Sequence, residues 1–120
     1  MLGLILADGE VQGPQVVGAT AGAAAVKSFS DTNGGRAFVF SFSADSAVKI
    51  AWTAASASAP TDPTAPTAAN SGTDGLVLYA LKGWQYRINA PTMSVATGNR
   101  IGHVAIYMPA NTTCYLNFIY

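Results

Sequence analysis

One histidine, one cysteine and six carboxylates are all that this chain offers to metal or acid–base chemistry: His103, Cys114, Asp8, Glu10, Asp31, Asp45, Asp62 and Asp74. A metal centre needs several such ligands drawn together. His103 and Cys114 fall in separate strand-like runs and become neighbours only if those strands pair, and two ligands make an incomplete site. Many serines could join His103 and an aspartate in a triad, but no GxSxG elbow presents a nucleophile. Most of the acids stand in turn-like contexts, where Asp is a turn former, and not as the opposed carboxylates of a glycosidase. His103 is therefore read as a structural or interfacial residue and Cys114 as a small buried hydrophobe. The chain is expected to be no enzyme, with no catalytic residue, no metal and no cofactor.

Aromatic side chains could do a different kind of work. Trp52, Tyr79, Trp84, Tyr86 and Tyr107 could form a stacking platform for a sugar. Each lies in a strand-like run, however, so core packing and the β preference of aromatics account for them. The triplet Asn111-Thr112-Thr113 matches a glycosylation sequon. It is read as a turn, because the apolar start "MLGLILADGE" lacks the basic lead of a secretory signal. The expectation is a chain made in the cytoplasm.

Bulk composition narrows the partners. The chain has 120 residues, enough for one domain spanning 1–120. Half of the residues are hydrophobic and 10% are charged, against about 25% in an ordinary soluble domain. A surface so poor in Lys and Glu is made of Ser, Thr, Asn, Gly and Ala, or is partly covered by a partner. Lys27, Arg36, Lys49, Lys82, Arg87 and Arg100 are scattered and balanced by the acids to zero net charge. Without a basic stripe to neutralise phosphates, nucleic acid is not an expected partner. No apolar run approaches the roughly 20 residues of a membrane span, so a membrane is not expected either. A single cysteine excludes an intrachain disulfide.

The elements that must position these residues read as strands. "RAFVFSFSA" puts Phe38, Phe40 and Phe42 on one face and Ala37, Val39 and Ser41 on the other. "SAVKIAWTA" puts Val48, Ile50 and Trp52 on one face with Lys49 opposite, and "WQYRINA" does the same for Trp84, Tyr86 and Ile88. Period-2 alternation with aromatics is a β signal. Shorter runs at 2–6, 26–30, 75–81, 101–108 and 114–120 complete seven or eight strands. "DTNGG" at 31–35 is expected to close a tight hairpin. "KGW" and "PANTT" mark further turns, and Gly13-Pro14 another. Residues 1–25 are read as an extended arm. The fold predicted is all-β: two antiparallel sheets face to face, or a jelly-roll-like barrel.

Between two of these strands lies "TAASASAPTDPTAPTAANSGTDG", residues 53–75, with three prolines, seven alanines and no basic residue. Ordering its backbone costs roughly 1–2 kcal/mol per residue, and its small side chains have little core to offset that. Long loops of this kind are usually functional. Small side chains with Pro suit close, extended contact with a neighbour. The segment is therefore expected to be an interface, with Pro60, Thr61, Pro63, Thr64, Pro66, Thr67 and Asn70 as contacts. Met1, Leu2 and Leu4 of the arm are expected to join it.

The stretch "VKIAWTAASASAPTDPTAPTAANSGTDGLVLYALKGWQYRINA", followed by "GHVAIYMPANTTCYLNFIY", resembles small β-sandwich structural proteins of tailed bacteriophages. Its order is a "VKIAW"-style strand, an Ala/Ser/Thr/Pro stretch, an "LVLYAL"-style strand, an aromatic strand and a closing pair of hydrophobic strands. The resemblance covers roughly residues 46–120 and carries no catalytic residue. It implies a capsid decoration (cement) protein of the virion, seated on the phage head. The implied partners are the major capsid protein and further copies of itself, with a homotrimer as the expected state. The alternative it leaves open is a tail-associated or carbohydrate-binding β-sandwich module.

Overall fold

The alternating runs form strands, and a computed structural model shows how they pair. It describes residues 6, 9–66, 73–91 and 99–120. Eight strands are present among them, with no helix: β1 (Gln12–Thr20), β2 (Ala25–Gly35), β3 (Ala37–Phe42), β4 (Ser46–Ala54), β5 (Leu76–Ala80), β6 (Tyr86–Asn89), β7 (Ile101–Met108) and β8 (Thr112–Ile119). They make two antiparallel four-stranded sheets, ordered β1-β8-β3-β6 and β2-β7-β4-β5. The first strand pairs with the last, the second with the seventh, the third with the sixth and the fourth with the fifth. That nested order is the double-sheet jelly roll: one long hairpin, its tip at the β4–β5 loop, wrapped around its own core.

Wrapping changes what several turn signals do. Only the β4–β5 connection stays within a sheet, and every other connection crosses between sheets. The expected hairpin at 31–35 is a corner instead. β2 runs on to Gly35 and β3 starts at Ala37 in the opposite sheet. Asn33 donates its backbone N–H to Asp31 Oδ1 at 2.9 Å, and Gly34 takes the left-handed region at φ 68°. A Cβ on Gly35 would sit 2.6 Å from the Ala37 carbonyl oxygen. The Asx-Gly chemistry thus bends the chain, but toward the other sheet. The closing pair β7 and β8 is likewise split across the sheets, with Asn111 at φ 57° in the crossing.

The N-terminal segment also departs from the expected arm. Residues 12–20 are an edge strand in register with β8, from Gln15 opposite Asn117 to Thr20 opposite Thr112. Gly13-Pro14 lies inside that strand, where the register shifts between Gln12 and Gln15. Proline removes a ladder donor, so an edge with a bulge is where a strand tolerates it. The strand expected at 2–6 falls outside the described residues, apart from Leu6.

Between the sheets, Phe38, Phe40 and Phe42 meet Val48, Ile50, Val104, Ile106 and Met108, with Cys114, Leu116 and Phe118 completing the core. Phe40 is the hub. Its ring centroid lies 5.7 Å from those of Phe38 and Phe42 and 5.6 Å from that of Tyr86. β3 is buried on its other face as well, where Ala37, Val39 and Ile119 form a second small cluster. Over this outer face, Glu10 reaches Arg87 of β6 in a 2.6 Å ion pair. Arg87 stands opposite Val39 in the ladder.

Replacing Phe40 with alanine is expected to cost about 3–5 kcal/mol, the usual range for a buried aromatic. Denaturant unfolding followed by tryptophan fluorescence measures it. A loss under 1 kcal/mol would mean that Phe40 is not the hub of the core.

Candidate interaction surface

On the outer face of the second sheet, Lys49 is the residue around which the long loop is organised. It follows Val48 in β4 and faces away from the core, yet its side chain is only 3% exposed. Its Nζ donates to Asp74 Oδ1 at 2.6 Å and to Thr64 Oγ1 at 2.9 Å. Asp74 Oδ2 in turn accepts the Thr64 backbone N–H at 2.6 Å. One carboxylate thus joins both limbs of the loop to the sheet. The Lys49 ammonium, the Thr64 amide and the Thr64 hydroxyl hold the Asp74 carboxyl below the usual carboxylate range, at about 2. Asp74 directly precedes Gly75, where a Cβ would lie 2.8 Å from the Ile50 carbonyl oxygen. The clamp therefore also sets where β5 begins against β4.

The geometry places part of the expected interface list. Pro63 is buried, and Thr64 is engaged by Lys49 and Asp74 within its own domain. Thr64 itself remains exposed. The cause of its engagement is the charge on Lys49: a buried ammonium demands a carboxylate, and the loop supplies it. Thr61 is exposed, and Pro60 and Pro66 are half-buried. Met1, Leu2, Leu4, Thr67 and Asn70 lie outside the described residues. The signal that sequence reading missed was a lone lysine in the apolar run "VKIAW", followed by a loop rich in acceptors.

The chemistry-bearing side chains are kept apart. Cys114 is in the core on β8, while His103 is on the outer face of β7 in the other sheet. They are not neighbours. Burial pushes the Cys114 thiol up to about 12. His103 Nδ1 lies 3.1 Å from Ser30 Oγ, its cross-strand partner on β2. Among the described residues no carboxylate bonds this histidine. Asp31, next to Ser30, takes its hydrogen bonds from Asn33 and the Tyr120 hydroxyl. That last bond raises the Tyr120 pKa. No cluster of three His, Cys, Asp or Glu side chains occurs among the described residues. A shallow recess of about 10 Å³ on the other outer face is lined by Gln15, Ser41, Gln85, Tyr115 and Asn117. Drug-sized ligands occupy clefts of roughly 300 Å³ or more.

The aromatics divide differently from the expectation. Trp52 packs on the core, edge-on to Phe38, and Tyr86 stacks on Phe40. Tyr79 and Trp84 are 65% and 61% exposed. Trp84 is not in a strand with Tyr86, because β6 begins only at Tyr86 and Gly83 turns the chain at φ 75°. The "KGW" turn signal was the clue that Trp84 leaves the strand. Leu76 and Leu81 are also exposed. The turn carrying Leu81 and Trp84 is firmly held: Lys82 N–H donates to Asp45, Gly83 N–H to the Phe42 carbonyl, and Leu81 N–H to the Tyr86 hydroxyl. Comparison with family models, with curated proteins and with solved structures found no match.

Two outcomes follow. Asp74→Asn is expected to lower the melting temperature near neutral pH. A depressed carboxylate stabilises the fold fully above its unfolded pKa, about 3.9, and that contribution fades as pH falls toward about 2. The gap between wild type and variant in an acid melting series should therefore close over that window, and a gap independent of pH would exclude the ion pair as its cause. Cys114 is expected to resist thiol reagents at neutral pH until the protein unfolds. Prompt stoichiometric labelling of native protein would contradict its burial.

Proposed function

We propose that this protein acts by surface contact, as a structural virion component of the capsid-decoration type. The jelly roll hosts viral capsid, lectin and cupin domains alike, so architecture by itself does not choose among them. The observation that carries the reading is the pinned turn that holds Leu81 and Trp84 in solvent. Exposed tryptophan on a rigid support is the kind of residue that dominates protein–protein contacts, and apolar patches of this sort mark interaction sites. The low charge supports the same reading, because a surface of Ala, Ser and Thr can be covered without stranding charges. The exposed crest of the loop at Thr61, flanked by Pro60 and Pro66, is a second candidate contact. The resemblance supplies the partner, the major capsid protein of a tailed phage.

Co-sedimentation with shells of the major capsid protein encoded in the same gene cluster tests this. Saturable binding is expected, weakened at least about tenfold by Trp84→Ala, the scale of a hot-spot residue. Val17→Ala, which removes an exposed apolar side chain elsewhere, should leave binding unchanged. Protein that stays in the supernatant with intact shells would overturn the reading. A sugar-binding module is the second reading, favoured by the exposed pair Tyr79 and Trp84. It predicts glycan-induced change in tryptophan fluorescence that Trp84→Ala abolishes.

A further inference from the structure

Four strands form the edges of the two sheets: β1 and β6 in one, β2 and β5 in the other. An edge strand turns a row of unpaired N–H and C=O groups outward and templates another strand unless something blocks it. Three of the four carry such a device over at least part of their length. β1 carries Pro14 and a register break between Gln12 and Gln15. β2 carries Lys27 and Asp31 and breaks register between Ser30 and Gly35. β6 is four residues long and holds Arg87 in its ion pair with Glu10. β5 has none of these devices. Its sequence, "LVLYA", has no charge, no proline and no glycine, and its ladder with β4 is unbroken from Leu76 to Ala80. Among the described residues, no strand pairs with its open side.

We infer that the open edge of β5 pairs antiparallel with β5 of a second copy of this chain, joining two four-stranded sheets into one eight-stranded sheet across a two-fold axis. The occupant follows from what the edge offers. Another strand is the protein element that matches a row of alternating donors and acceptors. An antiparallel two-fold pairing matches each donor of one copy to an acceptor of the other. An uncharged strand meets itself without like-charge repulsion, whereas β2 and β6 would set Lys27 or Arg87 near its own image. A three-fold ring built on this edge would require β5 to meet a different edge of the next copy, and each of the other edges carries a blocking device. A pairing centred on Leu78 sets Tyr79 opposite Val77 of the second copy on the outer face, an aromatic–β-branched pair of the kind that favours sheet pairing. It also covers Leu76, whose exposure the isolated domain does not explain. The Lys49–Asp74 clamp fixes the start of β5 and so presents the edge ready-formed.

The inference stands apart from the virion reading, since it rests on the edges alone. Sedimentation velocity of the full chain over a concentration series tests it. A monomer–dimer equilibrium is expected, with Tyr79→Lys raising its dissociation constant at least about tenfold, equivalent to 1.4 kcal/mol. Val17→Lys on β1 and Trp84→Ala should leave the equilibrium unchanged. Should Tyr79→Lys fail to fold by circular dichroism, hydrogen exchange on the unmodified protein decides the matter. Slowing of β5 amides at high concentration, with β1 amides unchanged, supports the pairing. A monomer at all concentrations, a trimer, or a dimer insensitive to both readouts would overturn it. A dimer that ignores capsid shells sinks the virion reading alone, and shell binding by a monomer sinks only the β5 pairing.

Discussion

The row Phe38, Phe40 and Phe42 on β3 is the constraint from which the rest of the structure follows. Three phenylalanines on one face of a six-residue strand cannot be covered by an adjacent hairpin. They need a second sheet facing them at about 10 Å, and the chain provides it from β4 and β7. Because β3 and β4 are consecutive yet must lie on opposite sides of this row, the chain crosses from sheet to sheet. The same need repeats at nearly every connection. The outcome is the nested order in which the N-terminal half pairs in reverse with the C-terminal half. Long-range ladders of this kind bring distant parts of the chain together, as the mutual hydrogen bonds between Val11 and Tyr120 show.

One strand-to-strand connection does not cross, and it is the long one. The β4–β5 loop lies at the tip of the wrapped hairpin, where a short turn would also close the ladder. Its extra length covers Lys49. A buried ammonium is unfavourable unless a carboxylate and further acceptors replace water, and Asp74 and Thr64 do this from opposite limbs of the loop. The loop is thus partly a lid on its own domain. Charge–charge pairing over a distance of 25 residues does for it what apolar burial does for the strands. Glu10 and Arg87 play a similar part across the other outer face.

Both outer faces are partly occupied by the chain itself, and the most exposed aromatics of the described residues, Tyr79 and Trp84, stand at the rim. Tyr79, Leu81 and Trp84 lie along β5 and the turn after it. The backbone there is regular and well anchored, so exposure of these side chains does not come from looseness. A strand edge favours strands, and a rigid tryptophan favours a complementary hollow. The two features sit side by side and point to different partners.

Period-2 alternation is a local property, and what it encodes was legible in the sequence by itself. The faces of β3 and β4 are as the alternation of Phe38, Phe40 and Phe42 and of Val48, Ile50 and Trp52 requires. So is the burial of Cys114 in an apolar run. The all-β class follows from those patterns and the turn residues between them. Turn chemistry was legible only in part: Asn33-Gly34 bends the chain, but nothing local says whether it bends to the neighbouring strand or to the opposite sheet. Tertiary structure decided that, and with it the separation of His103 from Cys114. It also decided that Pro14 lies in a strand, that Trp84 faces solvent, and that Lys49 finds Asp74. The reason is physical. A side chain's face depends on its own strand's pleat, whereas its neighbours depend on which strands pair, and pairing is set by covering the whole core at once.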